Sequence, residues 1–496
     1  MTMVEHARRN LAHWWLALAL VAIAGALMAL PLTSAVLAIG GALALLAVLR
    51  WPELALYALI FAVPYGSWFP IPVSVGNLTA VDLLVVVVLA LWFARLIARE
   101  HEIRIRWPPL SLPFAIFLFA ALLTTTVAIS LQYAAKELVK WFEMFAMYVY
   151  VANNLDAQKA ARVLAVLLLA GASEAAIGIY QFLFRVGPEG FSLFGRFMRA
   201  YGTFEQPNPY AGYLGLIIPI ALGVVLSVNT DELRPRKQST VNTRTVHRSL
   251  FTRTQFVRVY CLLLTASVSL VAMLAALLMS WSRGAWLGVA AALVVVVVVQ
   301  SRRAFVLSVI AAFVLTFAIL LSSINLIPGV IAERFSGIGD YFGVFDVRGV
   351  KVDDANFAIV ERMAHWQAAW EMWRDLPLLG VGFGNYVPAY PAYALPRWSD
   401  PLGHAHNYYL NIAAEAGLVG LLAYLGLWSA AAWQGWRALR VTRGMWHSVA
   451  AGLLGMIVAL AIHNGFDNLF VHGMVAQVGI SLGITSVISK SPITND

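Results

Sequence analysis

Two histidines stand directly before a long apolar run, where ionisable side chains are unusual. Residues 403–425 read GHAHNYYLNIAAEAGLVGLLAYL and contain His404 and His406. The positive end of a helix dipole keeps a nearby imidazole neutral, and a neutral imidazole is what a general base requires. A plainer interpretation stays open, in which the histidines only hydrogen-bond at the start of a helix and Asn407 caps it.

Arginines occupy two further stretches at the ends of apolar runs. RFMRAYGTFEQPNPYAGYL (196–214) supplies Arg196 and Arg199, and SWSRGAWLG (280–288) supplies Arg283. A guanidinium binds phosphate oxygens bidentately and stays charged at any working pH. With a neutral histidine, this set is typical of a transfer in which a hydroxyl attacks and a diphosphate leaves. Taken singly, each arginine also fits the role of a loop charge or an interfacial anchor.

A metal site is the competing chemistry. His404 and His406 are two residues apart with Asp400 close by, and Asp353 and Asp354 form a separate acidic pair. His-x-His alone is a weak signal, because no second His or Cys pair completes a ligand set. The glycine fingerprints of nucleotide-binding loops are also absent. We therefore predict neither a metal nor a cofactor.

The composition indicates a membrane protein. Of 496 residues, 61% are hydrophobic and only 12% are charged, about half the charge of a soluble domain. Repeated apolar runs of spanning length predict an all-α polytopic membrane protein with about 12–14 transmembrane helices. The candidate spans are 12–30, 33–49, 54–64, 81–97, 111–130, 136–153, 159–184, 207–228, 258–280, 285–299, 304–323, 406–433, 447–464 and 469–488.

The distribution of Lys and Arg predicts the orientation of these spans. The net charge of +9 is better explained by basic cytoplasmic loops than by nucleic acid, which we do not expect as a partner. With the N-terminus inside, the three ionisable stretches share the outer face. Residues 229–257 then form a basic cytoplasmic loop. Residues 324–405 form a long extracytoplasmic loop, in which 357–377 are spaced as an amphipathic helix on the membrane surface.

Over about residues 195–470, the sequence resembles the O-antigen ligase and polymerase superfamily of bacterial membrane glycosyltransferases. SRGAWLG resembles its Ser-Arg-Gly signature, and HWQAAWEMWRDLPLLGVGFGNY resembles its periplasmic helix and glycine-rich turn. The ligase signature is His, then Asn, Ser or Gln, nine residues, Gly, two residues, and Gly, Thr or Tyr. His406, Asn407, Gly417 and Gly420 match that spacing, which selects His406 over His404. RAYGTFEQPNPYAGYL is similar to the family's outer-loop segment, with Arg199 in the matching place.

The resemblance implies a GT-C-like fold, with N-terminal helices over 1–190 and a catalytic region over 191–488. It also implies an undecaprenyl (polyprenyl) diphosphate-linked glycan donor in the bacterial cytoplasmic membrane, an active site on the periplasmic face, and metal-independent, inverting transfer. His406 would act on the acceptor hydroxyl while Arg199 and Arg283 hold the diphosphate. The expected substrate-binding residues are Arg196, Arg199, Arg283, His404 and Asn407.

Several functions remain open within and beyond this family. A ligase attaches the glycan to a lipid A core sugar in lipopolysaccharide biosynthesis, a polymerase joins lipid-linked repeat units, and other members glycosylate protein hydroxyls. An anion transporter is the alternative from another class, although its charges should lie near mid-membrane. In HNGFDNLF, we interpret His463, Asn464 and Asp467 as packing between helices, with an approach to the site as the alternative.

Overall fold

The computed structural model describes residues 31–66, 71–73, 76–100, 105–193, 195–227, 253–301, 303, 306, 346–352 and 356–490. In chain order the helices are α1 (Leu32–Arg50), α2 (Glu53–Tyr65), α3 (Ala80–Glu100), α4 (Ser111–Thr124), α5 (Leu131–Asn154), α6 (Ala157–Phe184), α7 (Pro207–Leu226), α8 (Arg253–Met279), α9 (Arg283–Val298), α10 (Phe357–Asp375), α11 (Tyr386–Tyr393), α12 (Tyr408–Val441), α13 (Met445–His463) and α14 (Met474–Lys490). Two antiparallel hairpins accompany them, β1 (Ile71–Val73) with β2 (Gly76–Leu78), and β3 (Ser192–Leu193) with β4 (Phe197–Met198).

The prediction of an all-α polytopic membrane protein is confirmed. Among the described residues, six helices are long and apolar enough to cross a membrane, namely α1, α3, α6, α7, α12 and α13. Shorter apolar helices comprise α2, α4, α9, α14 and residues 264–279 of α8. The expected spans 12–30 and 304–323 lie outside the described residues. Residues 253–257, expected in the basic loop, instead begin α8, and α12 extends eight residues beyond the expected 406–433.

Glycines bring α7, α9 and α13 into close contact. A Cβ on Gly288 of α9 would lie 2.8 Å from the Ala459 carbonyl oxygen of α13, and one on Gly452 of α13 would lie 2.7 Å from the Pro219 carbonyl oxygen of α7. Such close approach is typical of small residues between membrane helices. The starts of α7 and α9 both face His463 at the end of α13. The segments beside those three helix ends therefore meet at one face of the bundle.

Polar side chains of α6 hold the loop that precedes α7. The Gln181 side chain accepts hydrogen bonds from the backbone N–H groups of Tyr201 and Gly202 and donates to the Gly202 carbonyl. The Glu174 carboxylate accepts from the Thr203 backbone and hydroxyl at 3.1 and 2.9 Å. Gly202 has a φ of +56°, a conformation that glycine adopts at little cost. These contacts fix residues 199–204 against the end of α6.

The glycine-rich segment before α11 packs into a break in α12. Gly417 has a non-helical backbone, with φ 59° and ψ −160°. The Leu418 amide donates to the Pro377 carbonyl at 2.8 Å, and the Val381 amide donates to the Ala414 carbonyl at 2.9 Å. A side chain at Gly417 would overlap the Leu378 backbone. The first part of α12 is therefore the nine-residue helix 408–416 that follows the histidines.

The helix expected over 357–377 is present as α10. Of the apolar residues whose spacing predicts it, Ile359, Met363 and Trp366 pack in a small core cluster. Small residues, including Ala364, Ala368 and Ala369, make the contact, while Trp370 is 49% exposed. The Trp366 indole donates to the His406 carbonyl at 3.3 Å. α10 therefore packs against the start of α12, and its tryptophans do not mark a single face resting on a membrane. Small side chains occupy this contact because they allow closer packing between helices.

Gly417→Ala should destabilise the protein, because this backbone conformation costs a non-glycine residue about 1–3 kcal/mol before any overlap is counted. The measurement is thermal unfolding of purified protein in detergent, followed by tryptophan fluorescence. Gly426→Ala is the matched control, since Gly426 lies in the same helix with nothing within 4 Å of a new Cβ. Equal unfolding temperatures for the two variants would contradict the assigned break.

Candidate active site

A carboxylate lies between the two histidines. Asp467 Oδ1 is 3.5 Å from His404 Nε2 and 3.6 Å from His406 Nδ1. The imidazole rings meet edge to face at an interplanar angle of 67°, with centroids 4.4 Å apart. Asp467 follows the end of α13, whereas the histidines precede α12. Asp467 is buried, as the packing interpretation expects, but it also lies beside both histidines, as the alternative interpretation expects.

The hydrogen bonds define where the proton on His404 resides. Its Nδ1 accepts from the His406 backbone N–H at 3.0 Å, so a neutral His404 carries its proton on Nε2, which faces Asp467. Burial, and then the proximity of His406, lower the pKa of His404 to about 3. Burial raises the pKa of Asp467, but contact with His406 and nearby positive charge outweigh this and hold it well below its usual range. At neutral pH, His404 is neutral and Asp467 is ionised.

His406 is held from both its backbone and its ring. Its φ is +52°, a left-handed conformation that few non-glycine residues adopt and that is often found at functional sites. Nδ1 is buried and forms no hydrogen bond among the described residues, and Asp467 Oδ1 lies 3.6 Å away. An ionised carboxylate beside Nδ1 favours a proton there, which leaves Nε2 as the nitrogen that accepts a proton.

Arg199 is fixed beside the turn that leads to Arg283. Its Nε donates to the Ser280 carbonyl at 2.9 Å, and an Nη donates to Asn208 Oδ1 at 3.3 Å. The Ala200 amide also bonds the Met279 carbonyl at 3.0 Å. Burial, and then the charges of Arg362 and Arg283, lower the pKa of Arg199 to about 10. The two arginine stretches recognised in the sequence therefore form one cationic cluster.

Arg362 is a third arginine of this cluster, and the sequence reasoning missed it. It lies on α10 one turn before His365 and Trp366, on the same helix face. Both of those residues contact His406, His365 through rings 5.6 Å apart and Trp366 through its indole N–H. Arg362 also acts electrostatically on Asp467. The spacing of Arg362, His365 and Trp366 in ERMAHW was the available signal.

Two arginines of the cationic cluster form no direct ion pair. Neither Arg199 nor Arg362 makes a salt bridge to any Asp or Glu in the described part of the chain. The Arg199 side chain instead donates to a backbone carbonyl and to an amide oxygen. Partly buried guanidinium groups without a counter-ion are costly unless an anion binds them. The arrangement is therefore suited to a multiply charged anion.

The remaining predicted residues lie around this centre or outside it. The Asn407 side chain caps α12 by accepting from the amides of Tyr409 and Leu410, as the plainer interpretation expected. Arg196 is exposed in the turn of the β3–β4 hairpin, and no contact joins it to the histidines. Its assignment as a substrate-binding residue stays a prediction.

The structure also changes which residues could together bind a metal ion. The donor atoms of His404, His406 and Asp467 lie within 4.8 Å of one another, a spacing that suits a metal ion. Asp400, the acid considered from sequence, is exposed and accepts from the Leu402 amide within its own loop. Asp353 and Asp354 lie outside the described residues. Asp467 therefore replaces Asp400 as the third potential ligand.

The family comparison matches the part of the chain that carries most of this site. Residues 268–425 match the O-antigen ligase family model. The resemblance to the O-antigen ligase and polymerase superfamily is therefore confirmed. The matched region contains Arg283, Arg362 and His406, whereas Arg199 and Asp467 lie on either side of it. The match supports a membrane glycosyltransferase of the O-antigen ligase type.

The other two comparisons are less informative. The search of curated proteins gives no match. A solved chain described by the words "Structural coordination of polymerization and crosslinking by a peptidoglycan synthase complex" is similar over 79% of this chain and 100% of its own. The identity is 14% and the TM-score is 0.41. A likeness at that level indicates no function.

The arginine cluster should bind inorganic diphosphate, and Arg362→Ala should weaken that binding about 10-fold or more, because a charge-assisted contact is lost. Calorimetric titration of purified protein measures the affinity. Arg374→Ala is the matched control, since Arg374 lies on the same helix, is exposed, and pairs with Glu371. Equal affinities for the two variants would remove Arg362 from the anion site.

Proposed function

We propose that this protein transfers a glycan from a polyprenyl diphosphate carrier to an acceptor hydroxyl at the outer face of the bacterial cytoplasmic membrane. The observation that carries the proposal is a histidine–carboxylate pair beside a cluster of arginines, two of which, Arg199 and Arg362, form no salt bridge among the described residues. The pair, His406 with Asp467, suits proton removal from a hydroxyl. The cluster suits a diphosphate leaving group. Both features are needed for the same transfer, and they lie at the same end of the bundle.

The arginines would bind the donor through its diphosphate. Arg199 and Arg283 come from neighbouring segments joined by backbone and side-chain hydrogen bonds, and Arg362 approaches from α10. Negative charge builds up on the diphosphate as the bond from sugar C1 to the phosphate oxygen breaks. Fixed guanidinium groups stabilise that charge in the transition state more than in the bound donor, which lowers the barrier.

His406 would act on the acceptor. As the acceptor oxygen bonds to sugar C1 on the face opposite the diphosphate, its proton passes to His406 Nε2, and the polyprenyl diphosphate leaves with the bonding electrons. Attack from the opposite face inverts the anomeric centre. Asp467 orients the ring and stabilises the imidazolium that forms. His404, neutral at working pH, would position His406 through the bond from the His406 backbone N–H.

The arginine cluster also favours a metal-free reaction. The donor atoms of His404, His406 and Asp467 are spaced for a metal ion, but Arg362 acts on Asp467 and Arg199 lies in the same cluster. A divalent cation placed there would be repelled by these charges, whereas a diphosphate would be attracted. We therefore propose that the carboxylate serves the histidines rather than a metal.

The acceptor separates the candidate functions. The family model that matches is described as O-antigen ligase, which favours transfer to a lipid A core sugar over polymerisation of lipid-linked units. The decisive experiment incubates purified protein with a lipid diphosphate-linked glycan, with and without a lipid A core acceptor. Core-linked product alone supports a ligase, and lengthened lipid-linked chains support a polymerase. Product on a hydroxyl-bearing peptide instead supports a protein O-oligosaccharyltransferase, and no product at all favours an anion transporter.

His406→Ala should lower glycan transfer at least about 100-fold, because the proton acceptor is removed. Asp467→Asn should lower it by a similar factor, since the amide neither orients nor stabilises the charged ring in the same way. Product formation by membranes containing equal amounts of each variant measures the effect. His447→Ala is the control, because His447 bonds the Leu439 carbonyl at the far end of α12. Normal transfer by His406→Ala would rule out the proposed base.

Chelation should leave the transfer rate unchanged if Asp467 serves the histidines. The test treats purified protein with EDTA, removes the chelator and any bound metal by gel filtration, and measures the initial rate. Loss of activity that is restored by Mg²⁺, Mn²⁺ or Zn²⁺ would show that the His–His–Asp set binds a metal during the reaction.

A further inference from the structure

A cavity lies at the opposite end of α12 from the histidines. It has a volume of about 360 Å³, within the range of small-ligand sites. Trp433 and Arg437 from the last turns of α12 line it, together with Lys490 at the end of α14 and Leu110 ahead of α4. The lining therefore combines apolar and cationic side chains.

The cations at this cavity have no acidic partners. Among the described residues, no Asp or Glu lines the cavity, and neither Arg437 nor Lys490 forms a salt bridge. The Lys490 ammonium donates to the Ala152 carbonyl at 3.2 Å, and the neighbouring Asn153 bonds both backbone groups of Arg106. Arg106 is thereby held next to Lys490. Three cations therefore lie at this end of the bundle, and the described residues that contact Lys490 and the Arg106 backbone supply only neutral groups.

The position of the cavity along α12 is that of a membrane–water boundary. From Tyr408 to Arg437 the helix rises by up to about 40 Å, at about 1.5 Å per residue, which exceeds the roughly 30 Å hydrocarbon core. Trp433 and Trp107 beside the cavity are 62% and 68% exposed. Exposed tryptophans at this depth are typical of the boundary between headgroups and acyl chains. With His406 at the outer face, this end lies in the inner leaflet.

We propose that this cavity binds the headgroup of an anionic phospholipid. The lipid phosphate would bind to Arg437, Lys490 and Arg106. The apolar residues of the lining, such as Leu110, would contact the glycerol and the first methylenes of the acyl chains. Basic pockets between membrane helices recognise anionic lipids in this way. A soluble phosphate would contact the cations but not the apolar lining residues. The site is separate from the proposed glycan-transfer site and would remain if that function were disproved.

The test is native mass spectrometry of the full-length protein in detergent with added phosphatidylglycerol or phosphatidylcholine. The variant is Arg437→Gln with Lys490→Gln, because a glutamine at 490 retains a donor for the Ala152 carbonyl. Arg440→Gln with Arg443→Gln is the matched control, since it removes the same charge from exposed positions that do not line the cavity. Gel filtration checks that each protein remains monodisperse.

We expect wild type and control to retain phosphatidylglycerol in preference to phosphatidylcholine. The Arg437/Lys490 variant should retain at least about 5-fold less phosphatidylglycerol than the control. If that double variant is not monodisperse, Arg437→Gln alone is compared with Arg440→Gln, and the same result is required. Equal retention by variant and control, or equal binding of the two lipids, would overturn the proposal. Displacement of the lipid by millimolar inorganic phosphate would also overturn it, because it would indicate a site for free anions.

Discussion

A carboxylate inside a membrane protein is stable in its charged form only if nearby groups compensate it. Asp467 meets this condition because two imidazoles and the charge of Arg362 surround it. The dependence is mutual, since the carboxylate also orients the rings. The backbone of His406 adopts a left-handed conformation that few non-glycine residues adopt. The geometry of the whole candidate site depends on where that one charge sits.

The position of Asp467 depends in turn on how closely three helices approach one another. Gly288 and Gly452 let α9 and α7 pack against the backbone of α13. The segments carrying Arg199, Arg283 and Asp467 all adjoin those helix ends. Close packing far from the chemistry therefore brings a loop, a turn and a post-helical segment to the same place. A side chain at these glycines would push apart the elements that carry the charged groups.

The break in α12 explains why the motif around His406 has its particular length. Asn407 caps the first helical segment, nine residues follow, and Gly417 is where residues 377–381 pack into the break. Some residues of this motif are suited to the reaction, and others define the helix that follows. The histidine supplies the reactive ring, whereas the asparagine and glycine set the beginning and end of a short helix. That helix also contacts α10, which brings Arg362 and His365 to the site.

The sequence by itself determined the membrane class, the family resemblance and most helix positions, and it singled out His406, Arg199 and Arg283 as candidate site residues. These follow from local patterns, because apolar runs, caps and short motifs are properties of neighbouring residues. Only the tertiary structure placed Asp467, Arg362 and His365 beside His406 and left Arg196 apart from it. Asp467 is 61 residues from His406 and Arg362 is 44 residues away, so no periodicity joins them. Their proximity results from helix packing and from the α12 break, which depend on many contacts between distant segments.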